Sequence, residues 1–567
     1  MTFYAALLAL TLSVPALGKT SVRNTHETLL PAKQIFKNSV SDISGDIFLL
    51  TCPGCYLLDD PEFDDKFLFS SHISTKHDGK VDVVLPRHPM SSHGYAWDYD
   101  LRIPLTFIDP QQKWFRRGTY KNLAVQQDVA PTLADILGIP APDRAEGRVL
   151  NEARQKTRPE RPKVVLVFVQ DQMGLQYYAA HPHRAPFLRS LMKEGANFTN
   201  AQVAHVDVET AVGHVAVGTG AYARGHHVTS NTVWRPGLWA ASGVYSAMLT
   251  ETKSSDAFPL MLDAATLADV WLHARDNKPQ IFSMVSASRA AISMGGHGSM
   301  FAGNKKTAVM YLTTKGAEAG QYTTNEDFYS LPAAVKGKSI KPYVDAFLKE
   351  QNGAWFDHEL MGKDGKVNIY QAIASPAAVR FEKDLALSVI EELKIGADEE
   401  TDLVFINFKS SDYCGHHFGY ESEECGQVLE QVDVAIKDVM EKVADLSGGS
   451  YVSVLTADHG AAPIPELSGA IRYSRDRLRE DLNKRFAVKG GGPEVVPFIT
   501  SSQLWLNKPA LKAAGYNAKD VVTFLKSYEV PMQEPWNYLA KSWLSKGKPA
   551  KQKLFFDVVS RDELMRP

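Results

Sequence analysis

Asp412 and His416 stand four residues apart in Asp412-Tyr-Cys-Gly-His416. On a helical turn or a compact loop, a carboxylate and an imidazole at that spacing can face one ion. Asp458-His459 offers the same two donor types side by side, and Asp171 adds a third carboxylate. Mixed oxygen and nitrogen ligation suits zinc, with coordination positions left open for substrate. Each piece alone reads more simply. An Asp-x-x-x-His is usually a solvated pair or a cap, and an Asp-His after a strand is mostly a turn. Their common placement, each behind a strongly apolar run, changes that reading. Glu209-Thr210-Ala-Val-Gly-His214 supplies a hydroxyl where a helix would begin. Such a threonine is ordinarily an N-cap. A helix N-terminus also favours a phosphoryl group, and a metal can activate the hydroxyl there.

The runs that must position these residues are Val164–Val169, Ile281–Val285, Leu403–Phe408 and Val452–Thr456. Each is rich in Val, Ile, Leu and Phe, as a strand buried on both faces should be. Each is followed within a few residues by polar groups: Asp171; Ser286-Ala-Ser-Arg289; Asp412 with His416; Asp458-His459. In open parallel sheets ligands bind beyond the carboxyl ends of the strands. Four strand ends of this kind predict one shared site. Short strands alternating with helical patterns predict a layered α/β fold, and no repeat of 20 to 50 residues is present. Leu150 to Lys163, charged and with two prolines, reads as a linker.

Composition excludes several classes. The chain has 567 residues, 44% apolar and 22% charged, close to a globular average. That rules out a disordered chain, a collagen-like chain and a disulfide-dense miniprotein. The net charge of -3 carries no nucleic-acid-binding signal. Met1 to Gly18 is the one long apolar run. It is shorter than the roughly 20 residues needed to span a bilayer. It reads as a secretory signal peptide cut near Gly18, although no Lys or Arg precedes it. The expected protein is exported, periplasmic or extracellular, with no transmembrane segment after cleavage. Export allows disulfides among Cys52, Cys55, Cys414 and Cys425. Cys52-Pro-Gly-Cys55 has redox spacing but is first of all a turn. Cys414 and Cys425 can pair, and the connectivity stays open.

Five stretches together resemble the alkaline phosphatase superfamily: Val164–Met173, Glu209–His214, Gly225–Asn231, Ser410–Gly419 and Leu455–Gly460. The nearest branches are the bacterial phosphate-irrepressible alkaline phosphatases and the nucleotide pyrophosphatase/phosphodiesterases. The resemblance implies a three-layer α/β fold, with a mostly parallel central sheet flanked by helices. It implies two Zn2+ ions. One would be held by Asp171, Asp458 and His459, with Thr210 as nucleophile beside it. The other would be held by Asp412 and His416. Asn231 and the Thr210 backbone N–H match the oxyanion contacts. Arg289 matches an arginine that grips non-bridging oxygens, a contact suited to its fork. The second zinc needs a further histidine, normally downstream of the Asp-His pair, yet none occurs from Gly460 to Pro567.

His93 fills that gap if the chain is circularly permuted. Ser91-Ser-His93 to Asp100, Ile103–Phe107 and Asp128–Gly138 look like the family's carboxyl-terminal stretch. On that reading residues 1–18 are the signal peptide and 19–150 match the family's carboxyl-terminal part. Residues 151–163 are the linker and 164–567 match the family's amino-terminal and middle parts, all within one catalytic domain. A strand at Ile103–Phe107 and a helix at Ala130–Leu137 should then share one α/β unit with Val164–Val169. His205, His214, His226, His227, His297 and His417 are expected to pack or to support the ligands.

The implied function is zinc-dependent hydrolysis of a small-molecule phosphate ester through a phosphothreonine, with alkaline phosphomonoesterase preferred. Arg289 and the form of the ligand and nucleophile motifs favour that branch. Ala287 stands where the monoesterase branch carries a lysine, which keeps a phosphodiesterase or nucleotide pyrophosphatase as the alternative. A non-catalytic binding protein on the same scaffold is the rival from another class. The filled ligand positions argue against it. No Cys/Ser-x-Pro-x-Arg sulfatase motif is present.

Overall fold

A computed structural model describes residues 30–58, 69–74, 80–85, 89–156, 160–235, 240–245, 257–303, 306–468, 470–531 and 551–566. The expected signal peptide lies outside the described residues. Two sheets carry the fold. Their strands are β1 (Ile47–Thr51), β2 (Leu105–Ile108), β3 (Gly118–Val125), β4 (Val164–Gln170), β5 (Ala196–Gln202), β6 (Ile281–Val285) and β7 (Thr307–Leu312). There follow β8 (Tyr322–Thr323), β9 (Asp402–Asn407), β10 (Tyr451–Ala457), β11 (Phe498–Ile499), β12 (Gln503–Trp505) and β13 (Phe555–Ser560).

The central sheet has nine strands in the order β8-β7-β6-β9-β4-β10-β2-β5-β3. Its middle, β7-β6-β9-β4-β10, is parallel throughout. The four apolar runs singled out above are β4, β6, β9 and β10, with bounds within a residue or so of expectation. Every residue of these four strands is buried, which explains why they read as continuous apolar runs. Strand β2 starts at Leu105, two residues later than expected, directly after Pro104, which has no N–H for a ladder. It runs antiparallel between β10 and β5. Strands β2 and β3, which precede Lys163, therefore lie in the same sheet as β4.

Helices cover both faces. They include α1 (Val129–Leu137), α2 (Thr210–Thr219), α3 (Ser288–Gly295), α4 (Pro376–Glu392), α5 (Ser410–Phe418) and α6 (Glu423–Ser447). Side chains alternate across β4. Val164, Leu166 and Phe168 pack with Val379 and Leu385 of α4 and Val432 and Val439 of α6. Val165, Val167 and Val169 pack on the opposite face with Ala130, Leu133 and Leu137 of α1. That alternation yields the three layers. Helix α6 is started by Ser422, whose side chain accepts from the Cys425 N–H, and two acidic residues follow in its first turn.

The stretch read as a linker is packed where it begins. Leu150 and Ala153 are fully buried. Arg154 donates to Asp135 Oδ2 at 2.9 and 3.1 Å and to the Trp114 carbonyl at 2.9 Å. The second sheet, β11-β12-β1-β13, has its own apolar cluster, including Ile47, Leu49, Leu504 and Val558. Cys52 and Cys55 are disulfide-bonded across the Pro53-Gly54 turn, and Gly54 takes φ 74°, a conformation that favours glycine. Cys414 and Cys425 are also bonded, tying α5 to the start of α6. Among the described residues no helix is long and apolar enough to cross a membrane.

Candidate active site

The carboxyl ends of β4, β9 and β10 open on one buried cluster. Asp171 follows β4, Asp458 and His459 follow β10, and α5 brings Asp412 and His416 after β9. Helix α2 begins at Thr210, with Glu209 rather than Thr210 at the capping position. Its approach depends on Gly213. A Cβ there would stand 2.5 Å from the Asp458 carbonyl oxygen, so any larger residue would push α2 away from the strand end.

An inner set consists of Asp171, Asp458 and His459, all with fully buried side chains. His459 Nε2 is 3.6 Å from Asp171 Oδ1 and 3.3 Å from Asp458 Oδ2. Among the described residues none of these three atoms has a hydrogen-bond partner, a costly state for buried polar atoms unless a cation serves them. An outer set joins His93, Asp412 and His416. His93 Nε2 is 3.6 Å and His416 Nε2 is 3.2 Å from Asp412 Oδ1. Ligand atoms about 2.0–2.2 Å from a tetrahedral ion stand roughly 3.3–3.6 Å apart, so the inner set fits such an ion, and in the outer set each imidazole stands at about that range from Asp412 Oδ1. His459 lies between the sets, its ring stacked on His93 at 3.7 Å. The ligand atoms of His93, Asp412 and His459 also lie within 4.8 Å of one another.

Backbone carbonyls fix the three imidazoles. Nδ1 meets the Val208 carbonyl at 2.7 Å in His93, the Ser91 carbonyl at 2.9 Å in His416 and the Gly460 carbonyl at 2.9 Å in His459. A carbonyl only accepts, so each Nδ1 carries a proton and each Nε2 is turned toward the carboxylates. This is the arrangement by which proteins orient metal-binding histidines. Burial holds His459 down at about 3. Burial opposes the charge on His93 as well, but Asp412 raises it to about 9. Burial and then the neighbouring Asp458 push Asp171 well above the carboxylate range. Burial works the same way on Asp412, yet Lys409 and His416 hold its carboxyl well below that range. Three buried carboxylates around a few imidazoles thus call for positive charge.

The structure brings the remaining expected residues to the same place. Thr210 is 1% exposed. The Asn231 side-chain oxygen accepts from the Ala211 N–H at 2.9 Å, which sets this side chain against the start of α2. Arg289 Nε is buried and has no hydrogen-bond partner among the described residues, and its charge acts on Lys409 and Tyr413. Ala287 is buried at the start of α3 and adds no cation. Of the further histidines, His214 reaches the cluster. Its Nδ1 meets the Thr210 carbonyl at 2.8 Å and lies 3.4 Å from Asp458 Oδ2. His227 is tied instead to Asp42 and Asp263, and His297 to Asp269.

Three residues that the sequence reading passed over belong to the cluster. Gln172 takes φ 62°, unusual for its type, and joins the sets. Its N–H donates to Asp458 Oδ1 and its side chain to Asp412 Oδ1, each at 3.1 Å. Asn407 donates to Asp171 Oδ2 at 3.1 Å and meets His214 Nε2 at 2.8 Å. Lys409 is fully buried, with Nζ 2.7 Å from Asp171 Oδ2, 2.7 Å from Asp412 Oδ2 and 3.0 Å from Thr210 Oγ1. Burial would lower its pKa, but the two carboxylates hold it above the ordinary lysine value. A signal for Lys409 was present. It is a lone cation directly after a buried strand, three residues before Asp412, and so on the same side of a helical turn.

The family described as type I phosphodiesterase / nucleotide pyrophosphatase matches residues 165–538. A protein named calcium-transporting ATPase, from Myroides odoratus, is 25% identical over 411 residues, covering 64% of this chain and 72% of that protein. Alkaline phosphatase PafA from Elizabethkingia meningoseptica is 22% identical over 402 residues, covering 65% of this chain and 73% of that protein. The crystal structure of wild type alkaline phosphatase PafA shares the fold at a TM-score of 0.53 and 19% identity, covering 72% of this chain and 86% of that one.

Proposed function

This chain belongs to the type I phosphodiesterase / nucleotide pyrophosphatase family of the alkaline phosphatase superfamily, and we propose that it hydrolyses phosphate esters through a phosphothreonine at Thr210. The observation that carries this reading is the convergence on the Thr210 helix end. Three tethered imidazoles and three carboxylates gather there, with the inner ligand atoms lacking a hydrogen-bond partner among the described residues. Two zinc ions, one on Asp171, Asp458, His459 and Thr210 Oγ1 and one on His93, Asp412 and His416, would supply the charge that activates Thr210 and stabilises the departing oxygen.

The protein groups do the rest. Thr210 Oγ1 bonds to phosphorus as the ester P–O bond breaks, and the proton that leaves Oγ1 passes through water to the departing oxygen. Water then bonds to phosphorus as the Oγ1–P bond breaks, giving orthophosphate and restoring the threonine hydroxyl. Asn231 and the Thr210 N–H face the non-bridging oxygens from the start of α2, where the helix dipole favours an anion. Arg289, whose buried Nε has no hydrogen-bond partner among the described residues, grips the phosphoryl group.

Arg289 favours a monoester. The absence of a cation at Ala287 supports the second reading, a diester or nucleotide pyrophosphate. Side-by-side assay of an aryl phosphate monoester and diester decides between them. Thr210→Ala should keep its metal and lose roughly 10⁴-fold or more in kcat, as other nucleophile removals do. Undiminished turnover in that variant would sink the covalent mechanism.

We further infer that the chain is a circular permutation of its family. In support, the family match begins at residue 165, yet His93 Nε2 stands 3.6 Å from Asp412 Oδ1 and β2 pairs with β10. Residues 19–150 and 164–567 then form one catalytic domain. Two disulfides fit an exported protein.

A further inference from the structure

We propose that Lys409 is a catalytic residue, a protein-borne third cation that holds Thr210 Oγ1 and stabilises the charge that develops on that oxygen. The proposal rests on the phosphoryl-transfer reading of Thr210. An ammonium has three donors, and Lys409 has an acceptor for each: Asp171 Oδ2, Asp412 Oδ2 and Thr210 Oγ1, at 2.7, 2.7 and 3.0 Å. The geometry is divided cleanly. Lys409 uses the Oδ2 atoms of both aspartates, while their Oδ1 atoms face the imidazoles of the inner and outer sets. The lysine and a metal ion therefore do not compete for one carboxylate oxygen.

Asp171, Asp412 and the Tyr413 ring, 5.4 Å below Nζ, enclose the ammonium, and its side chain is fully buried. It is thus a fixed donor, aimed at the one oxygen that is nucleophile in the first half-reaction and leaving group in the second. A donor already in place as charge develops needs no reorganisation, which is the source of its effect on rate. The residue also joins the two ligand sets to the nucleophile, something neither set does alone.

The test uses the full-length, metal-loaded protein with an aryl phosphate monoester, reading metal per chain beside kcat and KM. Lys409→Met should keep wild-type metal content and KM within about threefold, while kcat falls roughly 100- to 1,000-fold, the usual cost of losing one such donor. In Lys409→Ala, added ethylammonium should restore kcat by about tenfold or more, because a small cation can enter the space left by the side chain. A purely structural lysine would show no such rescue. Wild-type kcat in Lys409→Met overturns the proposal, as does a loss that disappears when added metal restores full occupancy. If Lys409→Met does not fold, the amine experiment decides, and no gain overturns the proposal. Activity in Thr210→Ala would overturn the nucleophile reading and this proposal with it. An inactive Thr210→Ala beside an active Lys409→Met overturns this proposal alone.

Discussion

The inner ligand set hangs from two neighbouring strands, β4 and β10, which are parallel and hydrogen-bonded from Tyr451 opposite Val164 to Ala457 opposite Gln170. The outer set is gathered from helix α5 and from a segment far upstream. Ser91 and His416, which share a hydrogen bond, are 325 positions apart. The inner side chains are fully buried and their ligand atoms have no hydrogen-bond partner among the described residues, whereas 21% of the His416 side chain is exposed. Asp412 already receives Gln172, Lys409 and two imidazoles. The inner set is therefore rigid and dependent on a cation. The outer set is self-satisfied, more open and only as firm as the contact between two distant parts of the chain.

Asp458→Asn should have the largest effect. It replaces a fully buried, charged ligand with a neutral one, so metal affinity at the inner set should fall by more than about 100-fold. His93→Ala should cost less, about 10- to 100-fold at the outer set, because His459 lies within reach of Asp412. Metal per chain under chelator competition reads both. Equal losses in the two variants would break the distinction drawn between the sets.

Replacing both Cys414 and Cys425 with Ser opens a loop with a sequence separation of 11. Denaturant unfolding should show roughly 2–3 kcal/mol of lost stability. Because the bridge holds α5, outer-set affinity should drop more than inner-set affinity. A uniform loss would count against α5 as the weak member.

A buried carboxyl outside both sets supplies the baseline and the smallest effect. Burial raises Glu382 from 4.5 to about 8, against the lowering effect of the Tyr322 hydroxyl. That hydroxyl donates to Glu382 Oε1 at 2.7 Å. The folded pKa lies above the unfolded one, so the contribution of Glu382 to stability is full below pH 4.5 and is lost as pH rises toward about 8. Glu382→Gln should therefore gain on wild type in melting temperature across that window and run parallel to it above. A difference independent of pH would show that Glu382 ionises freely in the folded protein.

Legibility followed the same division. Asp171, Asp458 and His459 could be read from the sequence because their strands are buried on both faces and leave long apolar runs. The antiparallel side of the sheet was harder. Strand β3 is mostly exposed, so Gly118–Val125 carries no apolar run to mark it. The β11-β12-β1-β13 sheet is assembled from distant segments, which no local pattern joins. His93 was found through a family resemblance and not through local pattern, since a histidine before glycine is most often a loop residue. Gln172 and Lys409 were missed for a physical reason. Their importance comes from what lies across the cluster: local sequence does not report the φ of 62° at Gln172, and the spacing of Lys409 from Asp412 does not show that Asp171 and Thr210 also meet the ammonium.

Strand β2 also imposes an order of events during synthesis. Both of its neighbours in the sheet, β5 and β10, come later in the chain. At about 5–20 residues per second, the roughly 350 residues between Leu105 and Thr456 take about 20–70 s to make. Throughout that interval Leu105 and Phe107, fully buried in the finished protein, have no β10 to pair with. The risk of aggregation is thus concentrated while the chain is still being made, when the β10-facing edge of β2 is open to a strand of another molecule.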